Sequence, residues 1–112
     1  MKKSTVLFLL VTAGFLQFCS SSKKTTADAS KVTYTQHVQP IIQASCTPCH
    51  IPPQGRAKPL NTFATASAEV DDIIDRIKRD PSEKGFMPAK HPKLPDSTIA
   101  VFERWKTTGL AE

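Results

Sequence analysis

Residues 46–50 read Cys-Thr-Pro-Cys-His and run directly into Ile51-Pro52-Pro53. Proline lacks a backbone donor and clashes with the preceding turn, so no helix continues through this point. The two thiols and the imidazole therefore follow a helix-like segment, "YTQHVQPIIQAS", and open a loop. A redox-active dithiol of this spacing usually follows a strand and opens a helix, which is the opposite arrangement. A structural zinc site needs two further ligands; His37 and His91 are available, but no second closely spaced pair exists. Two packed thiols beside an incidental histidine suit an oxidising compartment poorly. The remaining use takes all three residues. The motif is that of c-type haem attachment: Cys46 and Cys49 are expected to form thioethers to a covalently held haem c, with His50 Nε2 as the proximal iron ligand.

The N-terminus speaks to the compartment. "MKK" precedes thirteen residues, "VLFLLVTAGFLQF", that end at Cys19. That run is shorter than the ~20 residues of a membrane span and reads as a signal peptide over residues 1–18. An uncleaved anchor is the competing reading. The junction resembles a bacterial lipoprotein signal: Leu16 holds the aliphatic position, and Cys19 becomes the lipid-carrying first residue. Phe18 departs from the small residue usual before that cysteine. Residues 19–31 then form a lipidated N-terminus and flexible tether, rich in Ser, Thr and Lys. The expected product is an exported, membrane-anchored lipoprotein facing the periplasm or the cell exterior. All three cysteines have a covalent use, which resolves the odd count.

Charge points the same way. The whole chain carries a formal +5, yet beyond Lys31 only 10 basic side chains face 9 acidic ones. The basic excess belongs to leader and tether, so no nucleic-acid partner is inferred.

The folded part, residues 32–112, is small enough to need a staple or an oversized core element. Its aromatic residues are Tyr34, Phe63, Phe86, Phe102 and Trp105. A buried prosthetic group would supply the missing core. Four helical segments can be read. The first spans "YTQHVQPIIQASC", with Val38, Ile41 and Ile42 on one side and Pro40 tolerable only in a first turn. A short second one begins at Asn61 or Thr62. The third, "AEVDDIIDRIKRD", places Val70, Ile73, Ile74 and Ile77 at helical spacing. The fourth, "PDSTIAVFERWKTTG", carries Ile99, Phe102 and Trp105, an N-cap at Asp96 or Ser97, and a stop at Gly109. Proline-rich loops join them, and no alternating strand pattern appears. The fold class is all-α.

A second iron ligand is available in "GFMP". Met87 is the single methionine outside the leader, and a thioether is a soft donor suited to low-spin haem iron. Its ordinary role would be a core gap-filler. His91, four residues along, and His37 are rival ligands.

Together, "VQPIIQASCTPCH", "GFMP" and "LPDSTIAVFERWKTTGL" resemble a small class I mono-haem c-type cytochrome of the bacterial lipoprotein kind, over roughly residues 33 to 110. The resemblance implies a cytochrome c-like helical domain wrapped around one haem, with the first and last helices crossing beside it. Many members carry a glycine at that crossing, which this first helix lacks. It also implies a carbonyl in the loop after His50 as acceptor for the imidazole N–H, with Pro53 and Pro59 as candidates.

With both axial positions filled, the expected function is outer-sphere electron transfer rather than enzymatic catalysis. The alternative is a haem-based sensor or ligand-binding module with an open or labile sixth position. Redox partner proteins are expected, membrane-bound ones being favoured by the tether. Lys84, Lys90 and Lys93 bracket Met87 and form either a basic rim for an acidic docking patch or simply solubilising loop residues.

Overall fold

Thr33 is extended, and its hydroxyl accepts a hydrogen bond from the Gln36 N–H, starting the first helical segment of the computed structural model, which describes residues 31–112. That segment opens as a wide π-type turn, Tyr34–Val38, in which the Val38 N–H reaches back to the Thr33 carbonyl (3.4 Å). It passes directly into α1, Gln39–Ser45. Pro40 accounts for the widening. Its ring would collide with the carbonyl four residues earlier in a regular helix, and a looser turn immediately upstream removes the clash. A helical turn therefore precedes the proline, rather than the proline occupying the first turn of the whole segment.

The capping chemistry of α2, Phe63–Ala68, is reciprocal. The Thr62 hydroxyl accepts from the Thr65 N–H, while the Thr65 hydroxyl accepts from the Thr62 N–H. A single residue, Glu69, separates α2 from α3, Val70–Lys78, so Ala68 closes α2 and does not open α3 as the sequence pattern predicts. The last helix, α4, spans Asp96–Thr107. Asp96 lies inside it, and no side chain caps its start; Pro95 takes the preceding position. Gly109 turns the chain away with φ +93, a conformation open to glycine at no steric cost.

Among the described residues the architecture is helical, with no strand and one isolated bridge between Thr33 and Ala111. The α4 helix packs against both α3 and the Tyr34–Val38 turn. Val70, Ile73 and Ile77 are buried from α3, and Ile99, Phe102 and Trp105 from α4, while Ile74 and Val101 are half-buried. Val38 and Ile42 are buried from the first segment. Tyr34, Phe63 and Trp105 form an aromatic triangle with centroid separations of 5.9–6.3 Å, in the tilted and edge-on arrangements such rings prefer. The Ala111 carbonyl accepts from both the Tyr34 N–H and Trp105 Nε1, each at 2.8 Å. One acceptor thus ties the two ends of the described chain together. Ion pairs Lys78–Glu103 and Lys106–Asp71 bridge α3 and α4 at the surface, where each contributes little.

The leader, Cys19 and the tether as far as Ser30 lie outside the described residues. Among those described, no helix is long and apolar enough to cross a membrane.

Candidate functional site

Cys46 sits at the C-terminal end of α1, its N–H donating to the Ile42 carbonyl (2.8 Å). The chain then makes one further turn, closed by the His50 N–H on the Cys46 carbonyl (3.0 Å) and the Ile51 N–H on Pro48 (3.2 Å). This turn gathers both thiols and the imidazole at one end of the helix. Cys46 and Cys49 are free thiols. Burial pushes the Cys46 thiol up to about 11. A redox dithiol works by the reverse effect, a lowered thiol pKa at a helix N-terminus.

Beyond the prolines the loop doubles back. The Gly55 N–H donates to Ile51, the Ala57 N–H to Cys49 and the Leu60 N–H to His50, all at 3.0–3.1 Å. The approach at Gly55 is too close for a side chain: a Cβ there would lie 2.3 Å from the Cys49 carbonyl oxygen and 2.5 Å from that of Pro48.

This returning loop fixes the imidazole. His50 Nδ1 lies 2.7 Å from the Lys58 carbonyl oxygen. A carbonyl only accepts, so Nδ1 carries a proton, and in the neutral ring the lone pair is on Nε2. The acceptor is neither Pro53 nor Pro59, the two candidates the sequence offers, but the residue immediately before Pro59. A proline steers its predecessor away from helical backbone, and Lys58 lies outside any helix or turn. The proline acts on the neighbouring carbonyl and does not supply its own.

A cavity of about 610 Å³ opens beside this turn, lined by Cys46, Cys49 and His50 and also by Met87. Met87 arrives from the loop between α3 and α4, its N–H donating to the Arg76 carbonyl (3.2 Å). Leu60, Ile73, Ile77, Leu94 and Phe102 supply apolar wall. The charged lining is largely self-compensated: Lys58 pairs with Glu69 and Arg76 with Asp72, each at 2.8 Å. Those contacts raise the pKa of Lys58 and lower that of Asp72.

His91 and Lys90 also line the cavity, whereas His37 does not. His37 is exposed and accepts the Thr33 N–H at Nδ1 (3.1 Å), a local task at the start of the first segment. Lys84, Lys90 and Lys93 are all exposed. Sequence reasoning missed the Lys58 carbonyl, because any backbone carbonyl looks alike in a sequence. It also missed the anchoring of the Met87 loop to α3, although the i,i+4 acid–base pairs of that helix were visible.

No protein-family model, curated protein or solved structure matches this chain.

Proposed function

We propose that this protein is an outer-sphere electron carrier, holding one haem c through thioethers at Cys46 and Cys49 with His50 and Met87 as axial ligands. The observation that carries the reading is the single cavity shared by two thiols, an imidazole and a thioether, with the imidazole proton held on Nδ1. The donor set matches the group. Its volume lies within the roughly 300–1,000 Å³ of small-molecule and cofactor pockets, and its apolar wall suits a hydrophobic macrocycle. When bound, a haem supplies a one-electron Fe(III)/Fe(II) couple.

The chain's own residues do the rest. The Lys58 carbonyl orients His50 and raises its basicity, as outer-shell partners of ligating imidazoles do. Met87 offers a neutral sulfur that favours the reduced state. A cytochrome c-like arrangement of the helices, with Pro40 and the π-type turn at the crossing, belongs to this reading. Cys19 as lipid carrier would keep the domain at a membrane surface, near membrane-bound redox partners. Lys84, Lys90 and Lys93 offer such a partner's acidic patch a basic rim.

The deciding experiment uses protein matured with a cytochrome assembly pathway. Spectra of the oxidised and reduced forms, before and after denaturation, should show haem c that acidified organic solvent does not extract. Colourless or fully extractable material ends the proposal. His91 in the cavity lining supports one further reading, a labile sixth position as in a haem sensor. Rapid carbon monoxide binding by the ferrous protein would favour that reading over electron transfer.

A further inference from the structure

Met87 has no helix of its own to hold it. Its loop is fastened to the last turns of α3. The Met87 N–H donates to the Arg76 carbonyl. The Arg79 guanidinium donates through Nη1 to the Lys84 carbonyl at 2.6 Å and through Nη2 to the Asp75 carboxylate. Arg76 repeats the pattern more loosely, with Nε on Asp72 at 2.8 Å and Nη1 at 3.5 Å from the Gly85 carbonyl. Gly85 turns the chain with φ +86, and a Cβ there would sit 2.5 Å from Arg79 Nη1. The loop therefore reverses direction directly against the guanidinium. Isolated surface ion pairs contribute little. Here the carboxylate orients a planar fork whose other arm makes a short, charge-assisted bond to the loop backbone.

Arg79 does not line the cavity, whereas Arg76 does. The contact route from Arg79 to Met87 therefore runs through the loop, while the Arg79 charge also acts on the cavity-lining Asp72, an effect that Arg79→Lys preserves. We propose that Arg79, oriented by Asp75, is a positioning residue that holds the loop on α3 and so sets how firmly the Met87 sulfur keeps its axial place. This rests on the His50/Met87 ligation proposed above. A thioether is a weak, uncharged ligand, and its competitiveness depends on confinement by its loop. An external ligand must displace that loop, so its apparent affinity reports the loop's hold.

The test is titration of the ferric, haem-loaded, processed protein with imidazole, followed by loss of the long-wavelength iron–sulfur band. In Arg79→Gln, covalent haem and far-ultraviolet circular dichroism stay as in the parent. Imidazole binds roughly threefold to tenfold tighter, corresponding to the net contribution of one solvent-exposed hydrogen bond. Asp75→Asn shifts affinity the same way. Lys78→Gln, which breaks the bridge to Glu103 without touching the loop, leaves it unchanged. If Arg79→Gln does not mature, Arg79→Lys replaces it with the same expectation, because an ammonium does not reproduce the planar fork. Parental affinity in the Arg79 variant, with the band intact, overturns the clamp and leaves the ligation standing. An equal shift in Lys78→Gln also overturns it, since general loosening would then suffice. Absence of the band from the parent protein overturns the ligation, and the clamp with it.

Discussion

His50 Nδ1 and the carbonyl oxygen of Lys58 lie 2.7 Å apart, eight residues separated in sequence and joined by a loop that folds back on itself. The contact assigns a proton to Nδ1 and leaves Nε2 as the nitrogen that would meet the iron under the proposed ligation. A side-chain change at Lys58 leaves this acceptor in place, whereas freeing the backbone before Pro59 loosens it. Pro59→Ala should therefore raise the reduction potential by roughly 20–60 mV, since a less basic imidazole stabilises the oxidised state less. Lys58→Gln keeps the acceptor but leaves the cavity-lining Glu69 carboxylate uncompensated, so any shift it causes should run the opposite way, to a lower potential. Potentiometry on both variants decides, and an unmoved Pro59→Ala potential counts against the coupling.

The same loop depends on Gly55. A methyl group there meets two carbonyl oxygens at distances no Cβ tolerates, so Gly55→Ala must lift the loop from the turn beneath it. The expected loss is about 1–3 kcal/mol, typical of overpacking. Denaturant unfolding of the variant measures it, and parental stability would show that the loop rearranges freely.

Met87 and His91 line one cavity from one loop. Met87→Ala should lose the iron–sulfur band and acquire the spectrum of two nitrogen ligands, with a lower potential because the sulfur ligand had raised it. Met87→Ala combined with His91→Ala should instead bind carbon monoxide readily. Retention of the sulfur band in the single variant would remove Met87 from the site.

In the folded chain with both thiols free, Cys46 and Cys49 should differ in reactivity. Burial lifts Cys46 to about 11, while Cys49 is exposed. At pH 8 a group titrating near 11 is thiolate in only about one molecule in a thousand, and the thiolate is the nucleophile. Iodoacetamide should therefore label Cys49 first in native buffer and both alike in denaturant. Fragment-ion mass spectrometry of tryptic peptide 32–56, which holds both cysteines, reads the order, and equal labelling in native buffer contradicts the burial argument.

Acid should weaken the turn after α3. Asp80 accepts from both the hydroxyl and the N–H of Ser82, which hold its carboxyl below the ordinary value. A depressed folded pKa contributes stability that is present above the unfolded value near 3.9 and lost as pH falls through the folded one. Asp80→Asn should thus be less stable than the parent at neutral pH, with the gap closing as pH falls below the ordinary carboxylate range. Thermal melts across pH 2–7 test this; a gap independent of pH would mean that Asp80 acts without its charge.

What was legible in the sequence was local. The stripes of α3 and α4 follow from helical periodicity, so Val70, Ile73, Ile77, Ile99, Phe102 and Trp105 could be assigned to a core from spacing alone. The break after His50 follows from two prolines that no helix accepts. Glu69 separates α2 from α3 without a proline or glycine to announce it, and the break goes unread. The π-type turn before Pro40 likewise needed the backbone, because a proline states what is forbidden and not which detour the chain takes.

The meeting of Cys46, Cys49 and His50 with Met87 belongs to the tertiary structure. Thirty-seven positions separate His50 from Met87, and no local pattern sets the distance between them. Their common cavity arises because α3 carries the Met87 loop on its last turns, through Arg76 and Arg79, while the loop from Ile51 to Leu60 folds back over the cysteine turn. Residue types and short spacings determined which donors this chain possesses. Long-range backbone hydrogen bonds, each indistinguishable in sequence from any other amide, decided where those donors stand.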